Sequence, residues 1–141
     1  AVGQAYWPGF FDQLNRRLRP GGQAVIQSIT IDNARFDAYR QSGDFIRAYI
    51  FPGGMLPSPA RFTEAARRGG FSSQTVLAFG RDYAETLRRW RQRFEAHIED
   101  VLALGFDETF VRMWRLYLCY CEAGFDAGRT DVMQFLLTRE N

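Results

Sequence analysis

The stretch Arg19-Pro20-Gly21-Gly22, followed directly by Gln23-Ala24-Val25-Ile26-Gln27-Ser28-Ile29-Thr30-Ile31, decides the fold of this chain. The first four residues predict a turn, because proline and paired glycines end a helix and let the chain reverse. The next nine are rich in β-branched residues and predict a buried strand. Before the turn, apolar residues recur at helical spacing from Trp7 to Leu18. A helix, a turn and a buried strand form an α-to-β unit, which predicts an α/β protein with a parallel sheet.

The same signals predict two further strands, at Phe71–Phe79 and Asp131–Thr138. Ahead of the first of these, Ser58-Pro59 predicts the start of a short helix, because serine caps a helix and proline suits its first position. Between the two strands, Asp82 and Glu85 form a capping-box pattern at the start of a long amphipathic helix. Strands separated by helices agree with the α/β class.

Residues 34–58, between the first strand and this short helix, predict a lid. Phe45 and Tyr49 are four residues apart, as on one face of a helix. Pro52-Gly53-Gly54 then breaks that helix. An amphipathic helix, a rigid turn and a new helix suit a cover over a pocket better than a packed core.

Composition restricts the class of protein. With 46% hydrophobic and 24% charged residues, the 141-residue chain has an ordinary globular composition and the length of one domain. It has no apolar run near the ~20 residues that a membrane-spanning helix needs. The 13 phenylalanines suit either an apolar cavity or a phenylalanine-rich core. All 18 basic residues are arginine, which permits contact with anionic lipid headgroups, but no motif predicts binding to nucleic acid.

The reactive residue types form few patterns. Cys119 and Cys121 are two apart on a predicted helix, so they point to different sides and predict neither a mutual disulfide nor a metal pair. Free cysteines suit a reducing cytoplasm. His97 is the only histidine, and no carboxylate or cysteine neighbour suggests a site there. No strand is followed by a glycine-rich turn, so the sequence predicts no nucleotide-binding loop and no metal.

Several stretches carry a resemblance to a known family. Leu18-Arg19-Pro20-Gly21-Gly22 is similar to the helix-to-strand turn of many class I methyltransferases. The more specific stretches are Gln27-Ser28-Ile29-Thr30-Ile31, Asp44-Phe45-Ile46, Tyr49-Ile50-Phe51-Pro52-Gly53-Gly54-Met55-Leu56-Pro57-Ser58, Phe79-Gly80-Arg81-Asp82-Tyr83-Ala84-Glu85-Thr86-Leu87, Tyr117-Leu118-Cys119-Tyr120-Cys121-Glu122-Ala123-Gly124-Phe125 and Asp131-Val132-Met133-Gln134-Phe135. In this order and spacing they resemble the cyclopropane-fatty-acyl-phospholipid synthases and mycolic acid cyclopropane synthases.

The resemblance runs nearly end to end and matches the C-terminal half of that family's catalytic domain. It implies the C-terminal half of a Rossmann-like class I methyltransferase sheet, with about three strands, flanking helices and a helical lid insertion at about residues 34–58. All of residues 1–141 would then be part of one methyltransferase domain. The cofactor-binding N-terminal half would lie before Ala1.

The family transfers a methyl group from S-adenosylmethionine to a cis double bond in a lipid acyl chain, and a proton then passes to bound bicarbonate or carbonate as a ring closes. The resemblance thus implies S-adenosylmethionine and bicarbonate or carbonate as cofactors. It implies phospholipid acyl chains at the membrane surface as partners, and a cytoplasmic location with the inner membrane face as a site of peripheral contact. Two alternatives stay open: methyl transfer without ring closure, and a non-catalytic segment that binds lipid or forms a homo-oligomer.

The resemblance also assigns roles to single residues. Tyr83 matches the family tyrosine that hydrogen-bonds the anion, and Ile29 matches the residue whose backbone N–H does the same. Cys121 matches a helix cysteine designated as catalytic, and Phe51 matches an aromatic residue that lines the acyl site. Gln27 stands where many members have a histidine at the anion site, and an amide can donate a hydrogen bond but cannot change charge.

The lid contributes two more candidates. Phe45 and Tyr49 precede Phe51 in the same stretch and are expected to bind the substrate with it. The resemblance makes the lid the wall and cover of an acyl-chain site.

Each assigned role has a structural alternative. Tyr83 is alternatively the first residue of a capped helix, and Cys121 a small buried apolar residue. Phe51 is alternatively a core residue, and Gln27 a partner for a backbone group at the strand end.

Overall fold

Three strands form one sheet in the computed structural model, which describes residues 3–140. Strand β1 spans Gln23–Ile31, β2 spans Phe71–Ala78 and β3 spans Thr130–Arg139. The strand order is β1-β3-β2, and β3 is antiparallel to both neighbours. The expected parallel sheet is therefore wrong for these residues. The α-to-β unit does give β1 and β2 the same direction, but the last strand returns between them.

Helices surround this sheet in the chain order. They are α1 (Trp7–Arg17), α2 (Phe36–Gln41), α3 (Pro59–Arg68), α4 (Gly80–Ala96), α5 (Ile98–Ala103) and α6 (Glu108–Asp126). Short 3-10 turns occupy Gln4–Tyr6 and Asn33–Arg35, and a π-helical turn occupies Ile46–Ile50. The α/β class predicted from the sequence is confirmed.

The helix starts test the capping predictions. Ser58 caps α3 as predicted, because its hydroxyl accepts a hydrogen bond from Arg61 N–H at 3.4 Å. The capping box of Asp82 and Glu85 is wrong, since α4 already begins at Gly80 and Asp82 lies inside its first turn. The carboxylate of Glu85 binds arginines one turn further along the helix instead.

The described residues divide into two compact units. The sheet unit comprises residues 3–79 and 130–140, and the helical unit comprises residues 80–129. In the sheet unit, α1 and α3 pack on one face of the sheet, and the buried cluster there consists of Phe11, Phe62, Ala66, Phe71, Phe135 and Leu137. The rings of Phe62 and Phe135 stack with centroids 4.1 Å apart. Much of the phenylalanine content of the sheet unit therefore lies in its core.

The opposite face of the sheet is more open. Val25 on β1 is 58% exposed and Leu77 on β2 is 48% exposed. Both belong to apolar strands that the sequence predicts to be buried. Within residues 3–140, no helix is both long and apolar enough to cross a membrane.

The helical unit contains α4, α5 and α6, with Leu87, Val111, Leu118 and Phe125 buried. The predicted long helix breaks at His97, where α4 gives way to α5. His97 Nδ1 lies 2.7 Å from the carbonyl oxygen of Arg93. Trp90, which is expected in the buried stripe, is 46% exposed and packs edge-on against Tyr83 of the same helix.

Candidate functional site

The lid is a turn of π-helix rather than the expected amphipathic α-helix. Phe51 N–H donates to the carbonyl oxygen of Ile46 at 2.7 Å, a five-residue span that closes the turn Ile46–Ile50. The helical pairing of Phe45 with Tyr49 is confirmed, since their ring centroids lie 5.6 Å apart. The break after this turn is also confirmed: Gly53 has φ 76°, a conformation that favours glycine.

Arg47 and Tyr39 hold the lid to α2. The guanidinium of Arg47 lies over the Tyr39 ring, 5.5 Å from its centroid. Arg47 Nη1 also donates to the carbonyl oxygens of Tyr39 and Ser42, at 3.3 and 3.4 Å. Further along the lid, Leu56 N–H donates to the Tyr39 hydroxyl at 3.2 Å. Burial raises the pKa of Tyr39, and nearby Asp44 adds to the effect.

The three aromatic candidates of the lid differ in exposure. Tyr49 is 68% exposed, Phe51 is 48% exposed and Phe45 is half-buried. None of them belongs to the buried cluster of the sheet unit. The lid thus presents aromatic surface outside the core, which is what an apolar ligand would contact.

Gln27 and Ile29 lie on β1, an edge strand of the sheet. Ile31 N–H donates to the carbonyl oxygen of Pro57 at 3.0 Å and so points away from β3. Backbone groups alternate between the two edges of a strand with a period of two, so Ile29 N–H points to the same outer edge. Gln27 faces Gln134 across the ladder, and its amide oxygen accepts from Gln134 Nε2 at 3.0 Å. The Gln27 amide nitrogen is left as the donor end of that side chain.

Tyr83 lies in α4, in the first turns of the helical unit. Its ring is edge-on to Phe125 on α6, with centroids 5.2 Å apart, and edge-on to Trp90 at 6.0 Å. Tyr83 is half-buried and is the fourth residue of a helix that begins at Gly80. The alternative of a first helical residue is therefore wrong.

Cys121 lies on α6 and is half-buried, one turn after Tyr117. Burial raises the pKa of Tyr117 to about 12, and electrostatic interactions with Cys121 and Tyr83 act in the same direction. These interactions bring the two predicted residues and Tyr117 into one group. Tyr117 was not predicted as a site residue, although its spacing of four from Cys121 was a signal for it.

The candidates thus form two groups, each within one unit. Gln27, Ile29 and the lid aromatics belong to the sheet unit, and Tyr83, Tyr117 and Cys121 belong to the helical unit. A groove of about 570 Å³ along α1 and α3 includes none of these residues. Among residues 3–140, no cluster of histidine, cysteine and carboxylate side chains is suited to hold a metal ion.

Known proteins match this chain over most of its length. The sequence pattern of the mycolic acid cyclopropane synthetase family matches residues 1–135. The tuberculostearic acid methyltransferase of Mycobacterium tuberculosis is 45% identical over 141 residues, which cover 99% of this chain and 33% of that protein. The cyclopropane-fatty-acyl-phospholipid synthase of Escherichia coli K12 is 30% identical over 138 residues, which cover 98% of this chain and 35% of that protein.

A solved structure agrees with these matches. The mycolic acid cyclopropane synthase CmaA1, complexed with SAH and CTAB, superposes with a TM-score of 0.86 and 28% identity, over 97% of this chain and 51% of the other. The chain therefore spans 33–35% of the two curated relatives and about half of this structure. The resemblance drawn from the sequence stretches is confirmed. This chain belongs to the mycolic acid cyclopropane synthetase family.

Proposed function

We propose that the protein carrying this segment transfers a methyl group from S-adenosylmethionine to the cis double bond of an unsaturated phospholipid acyl chain, and closes a cyclopropane ring. The observation that carries the proposal is the family match over residues 1–135. The names of relatives support it: one that is 36% identical over 95 residues is an S-adenosylmethionine-dependent methyltransferase of Mycobacterium tuberculosis. The cytoplasmic face of a membrane is where such an enzyme would meet its substrate.

The described residues do not fit the methyl donor by themselves. β1 runs into Asp32, whose carboxylate accepts from Ala34 N–H at 2.7 Å, and β2 runs into Phe79 and α4. Neither strand is followed by the glycine-rich turn that cradles an adenosyl cofactor. In this proposal the cofactor is bound by other parts of a longer protein, and the segment by itself is inactive.

The donor groups of the segment do fit a small oxyanion such as bicarbonate or carbonate. Ile29 N–H points to the outer edge of β1, and Tyr83 carries a phenol that can donate. The amide nitrogen of Gln27 is a third donor. The anion, when bound, supplies a base for the proton that leaves the methylated chain. Ile29, Tyr83 and Gln27 would hold it by hydrogen bonds to its charged oxygens, which are stronger than hydrogen bonds between neutral groups.

The lid aromatics suit the acyl chain. Phe45 and Tyr49 present neighbouring rings, and Phe51 follows at the exposed turn. Aromatic faces attract positive charge and also supply apolar contact to a hydrocarbon chain. We assign these three residues to binding of the acyl chain near its double bond. Cys121, as a half-buried thiol beside Tyr117, is assigned to the reaction centre with Tyr83.

Methyl transfer without ring closure is the second candidate. Gln27 replaces a histidine that many members have at the anion site, and an amide cannot take up a proton as an imidazole does. The relative with 45% identity is named a tuberculostearic acid methyltransferase, whereas the one named a cyclopropane synthase is 30% identical. Both observations favour a product that keeps the added methyl group open.

A non-catalytic role in lipid binding or self-association is the third candidate. Its support is the exposed apolar surface at Val25 and Leu77 of the sheet. Calorimetry of residues 1–141 with S-adenosylmethionine tests the narrower claim about this segment. We expect no binding, and tight binding would refute the claim that the segment lacks the cofactor site.

Expression of the complete protein in a bacterial host with unsaturated phospholipids tests the main proposal. The host is grown on methionine with a deuterated methyl group, and its fatty acids are analysed by mass spectrometry and proton NMR. We expect a labelled chain with one added carbon and ring protons. An added methyl branch without ring protons supports the second candidate. Unchanged lipids from a host containing well-folded protein would contradict both.

A further inference from the structure

One carboxylate of the helical unit joins α4 to α6 through two arginines. Glu122 Oε1 accepts from Arg88 Nε at 3.0 Å, and Glu122 Oε2 accepts from Arg91 Nε at 3.1 Å. The Glu122 side chain is only 13% exposed, whereas the two arginine side chains are 36% and 33% exposed. Removing one partner of an ion pair this far from water leaves a charge without compensation, so such a pair resists separation more than a surface pair does.

Arg88 extends the same network. Its Nη2 donates to Asp126 Oδ2 at 3.2 Å, and its Nη1 donates to the carboxylate of Glu85. One guanidinium on α4 therefore binds carboxylates on both helices. A bond of this kind is directional, so the network fixes how far α4 can slide along α6.

This network lies beside the group around Tyr83. Glu122 directly follows Cys121 in the chain, and Phe125 comes three residues after Glu122, on the same face of α6. The Phe125 ring is the one that contacts Tyr83 at 5.2 Å. On α4, Glu85 is two residues from Tyr83 and Arg88 is five residues from it. A slip of one residue, about 1.5 Å along the axis, would break both Nε bonds and move Phe125 away from Tyr83.

We infer that Glu122 is a positioning residue, which sets the register of α4 against α6 and so holds the phenol of Tyr83 in place. The consequence for catalysis rests on the proposed function, in which Tyr83 binds the anion. The effect on the Tyr83 ring does not depend on that function. Glu122 itself contacts no reacting atom in this assignment.

A second ion pair between the same helices provides a matched control. Arg115 on α6 binds Glu95 on α4 through two contacts, Nε to Oε1 at 2.8 Å and Nη2 to Oε2 at 2.7 Å. These side chains are more exposed, 43% and 39%. Glu95 is 12 residues after Tyr83, which is about 18 Å along the helix axis. Breaking this pair loosens the helices without touching the network at Glu122.

The activity test compares Glu122→Gln with Glu95→Gln in the complete protein. Glutamine keeps the shape of the side chain but loses the charge that binds two guanidinium groups. We expect Glu122→Gln to lower kcat about tenfold with KM changed less than about twofold, because a misplaced group affects the reaction more than substrate binding. We expect Glu95→Gln to leave both constants unchanged. Arg91→Lys, which keeps the charge, is expected to lower kcat by less than Glu122→Gln does.

A spectroscopic test reads the position of Tyr83 without activity. The six tyrosines are replaced with 3-fluorotyrosine, and the Tyr83 fluorine resonance is assigned by its loss in Tyr83→Phe. We expect Glu122→Gln to shift this resonance and Glu95→Gln to leave it in place. If Glu122→Gln fails to fold, Arg91→Lys takes its place in the comparison, with a smaller shift expected.

The outcomes separate the two claims. If the wild-type protein transfers no methyl group, the proposed function fails, and the fluorine resonance still decides the role of Glu122. If the wild-type protein is active and the two glutamine variants behave alike, the inference fails and the function stands. An unchanged Tyr83 resonance in Glu122→Gln, or in Arg91→Lys where that variant is used, would also overturn the inference.

Discussion

The ring of Tyr83 meets the ring of Phe125 edge-on, with centroids 5.2 Å apart and planes at 67°. Phe125 is only 3% exposed, so the contact belongs to the buried seam between α4 and α6. Edge-to-face pairs of this kind hold both rings in a preferred orientation. The position of the Tyr83 hydroxyl is thus set by apolar packing, while its chemistry is left to the oxygen atom.

This arrangement makes Tyr83→Phe an informative change. Phenylalanine keeps the ring contacts with Phe125 and Trp90, so we expect the melting temperature of the complete protein to stay close to that of wild type. Loss of one donor to a charged oxygen should lower kcat for methyl incorporation about 100-fold. Incorporation is measured with radiolabelled methyl donor and phospholipid vesicles. Tyr6→Phe, at a residue that is 71% exposed, is the control and should behave as wild type. Equal activity of the two variants would remove Tyr83 from the anion site.

Gln27→His tests the departure from the family pattern. Histidine at this edge strand restores a group that titrates near pH 6.5 and can take up a proton. We expect the variant to raise the proportion of ring product among methylated acyl chains, and to make that proportion depend on pH between about 5.5 and 7.5. Proton NMR of the extracted fatty acids measures the ratio.

Gln23→His is the matched control, because Gln23 lies four residues earlier on the same face of β1 and is also exposed. It should leave the product ratio of wild type unchanged. A ratio that is the same in Gln27→His and wild type would mean that residue 27 does not face the anion.

The strands of this fold could be predicted because their limits are local. The run from Gln23 to Ile31 ends at a glycine pair on one side and at Asp32 on the other, and β1 spans the same residues. Strand direction could not be predicted in the same way. The pairing of Gln23 with Thr138 joins residues 115 positions apart, and no local pattern reports on which side of β1 the last strand inserts.

The site was predictable in part for a similar reason. Phe45 and Tyr49 are neighbours on a single turn, so their spacing alone predicted their contact. Tyr117 was missed because its significance comes from Tyr83, on another helix, and spacing along one helix cannot report that. The burial of Trp90 was predicted wrongly because a helical stripe shows which side faces a partner but not where that partner ends.

The lid depends on Arg47, which gives a third prediction. Arg47→Gln removes the contact with the Tyr39 ring and the hydrogen bond to the Ser42 carbonyl oxygen. A loss of about 1 kcal/mol should speed hydrogen exchange in residues 44–51 about five-fold, as measured by mass spectrometry. KM for the lipid substrate should rise, since a looser lid costs more to order. Arg40→Gln, at an exposed neighbour, is the control. Equal exchange in the two variants would show that Arg47 does not hold the lid.

Tyr117 provides a fourth prediction, from the pH dependence of stability. Burial raises the pKa of Tyr117 to about 12 in the folded protein, against about 10 for an unfolded tyrosine. Between these values the folded state holds the proton and the unfolded state releases it, so the free energy of unfolding falls as the pH rises. The ring is half-buried, and after allowance for solvent screening we expect a loss of about 1 kcal/mol between pH 9 and pH 11. The loss should be absent in Tyr117→Phe.

Urea unfolding at pH 9, 10 and 11 measures this difference between wild type and Tyr117→Phe. Tyr6→Phe controls for the general effect of alkali, because an exposed phenol has similar surroundings in the folded and unfolded states. Tyr39, whose pKa is also raised, is left intact in all three proteins and so cancels in the comparison. A free energy of unfolding that falls equally in wild type and Tyr117→Phe would show that Tyr117 ionises as readily in the folded chain as in the unfolded one. The group formed by Tyr83, Tyr117 and Cys121 would then be open to water, and a site that must keep water from a reactive cation would have to lie elsewhere.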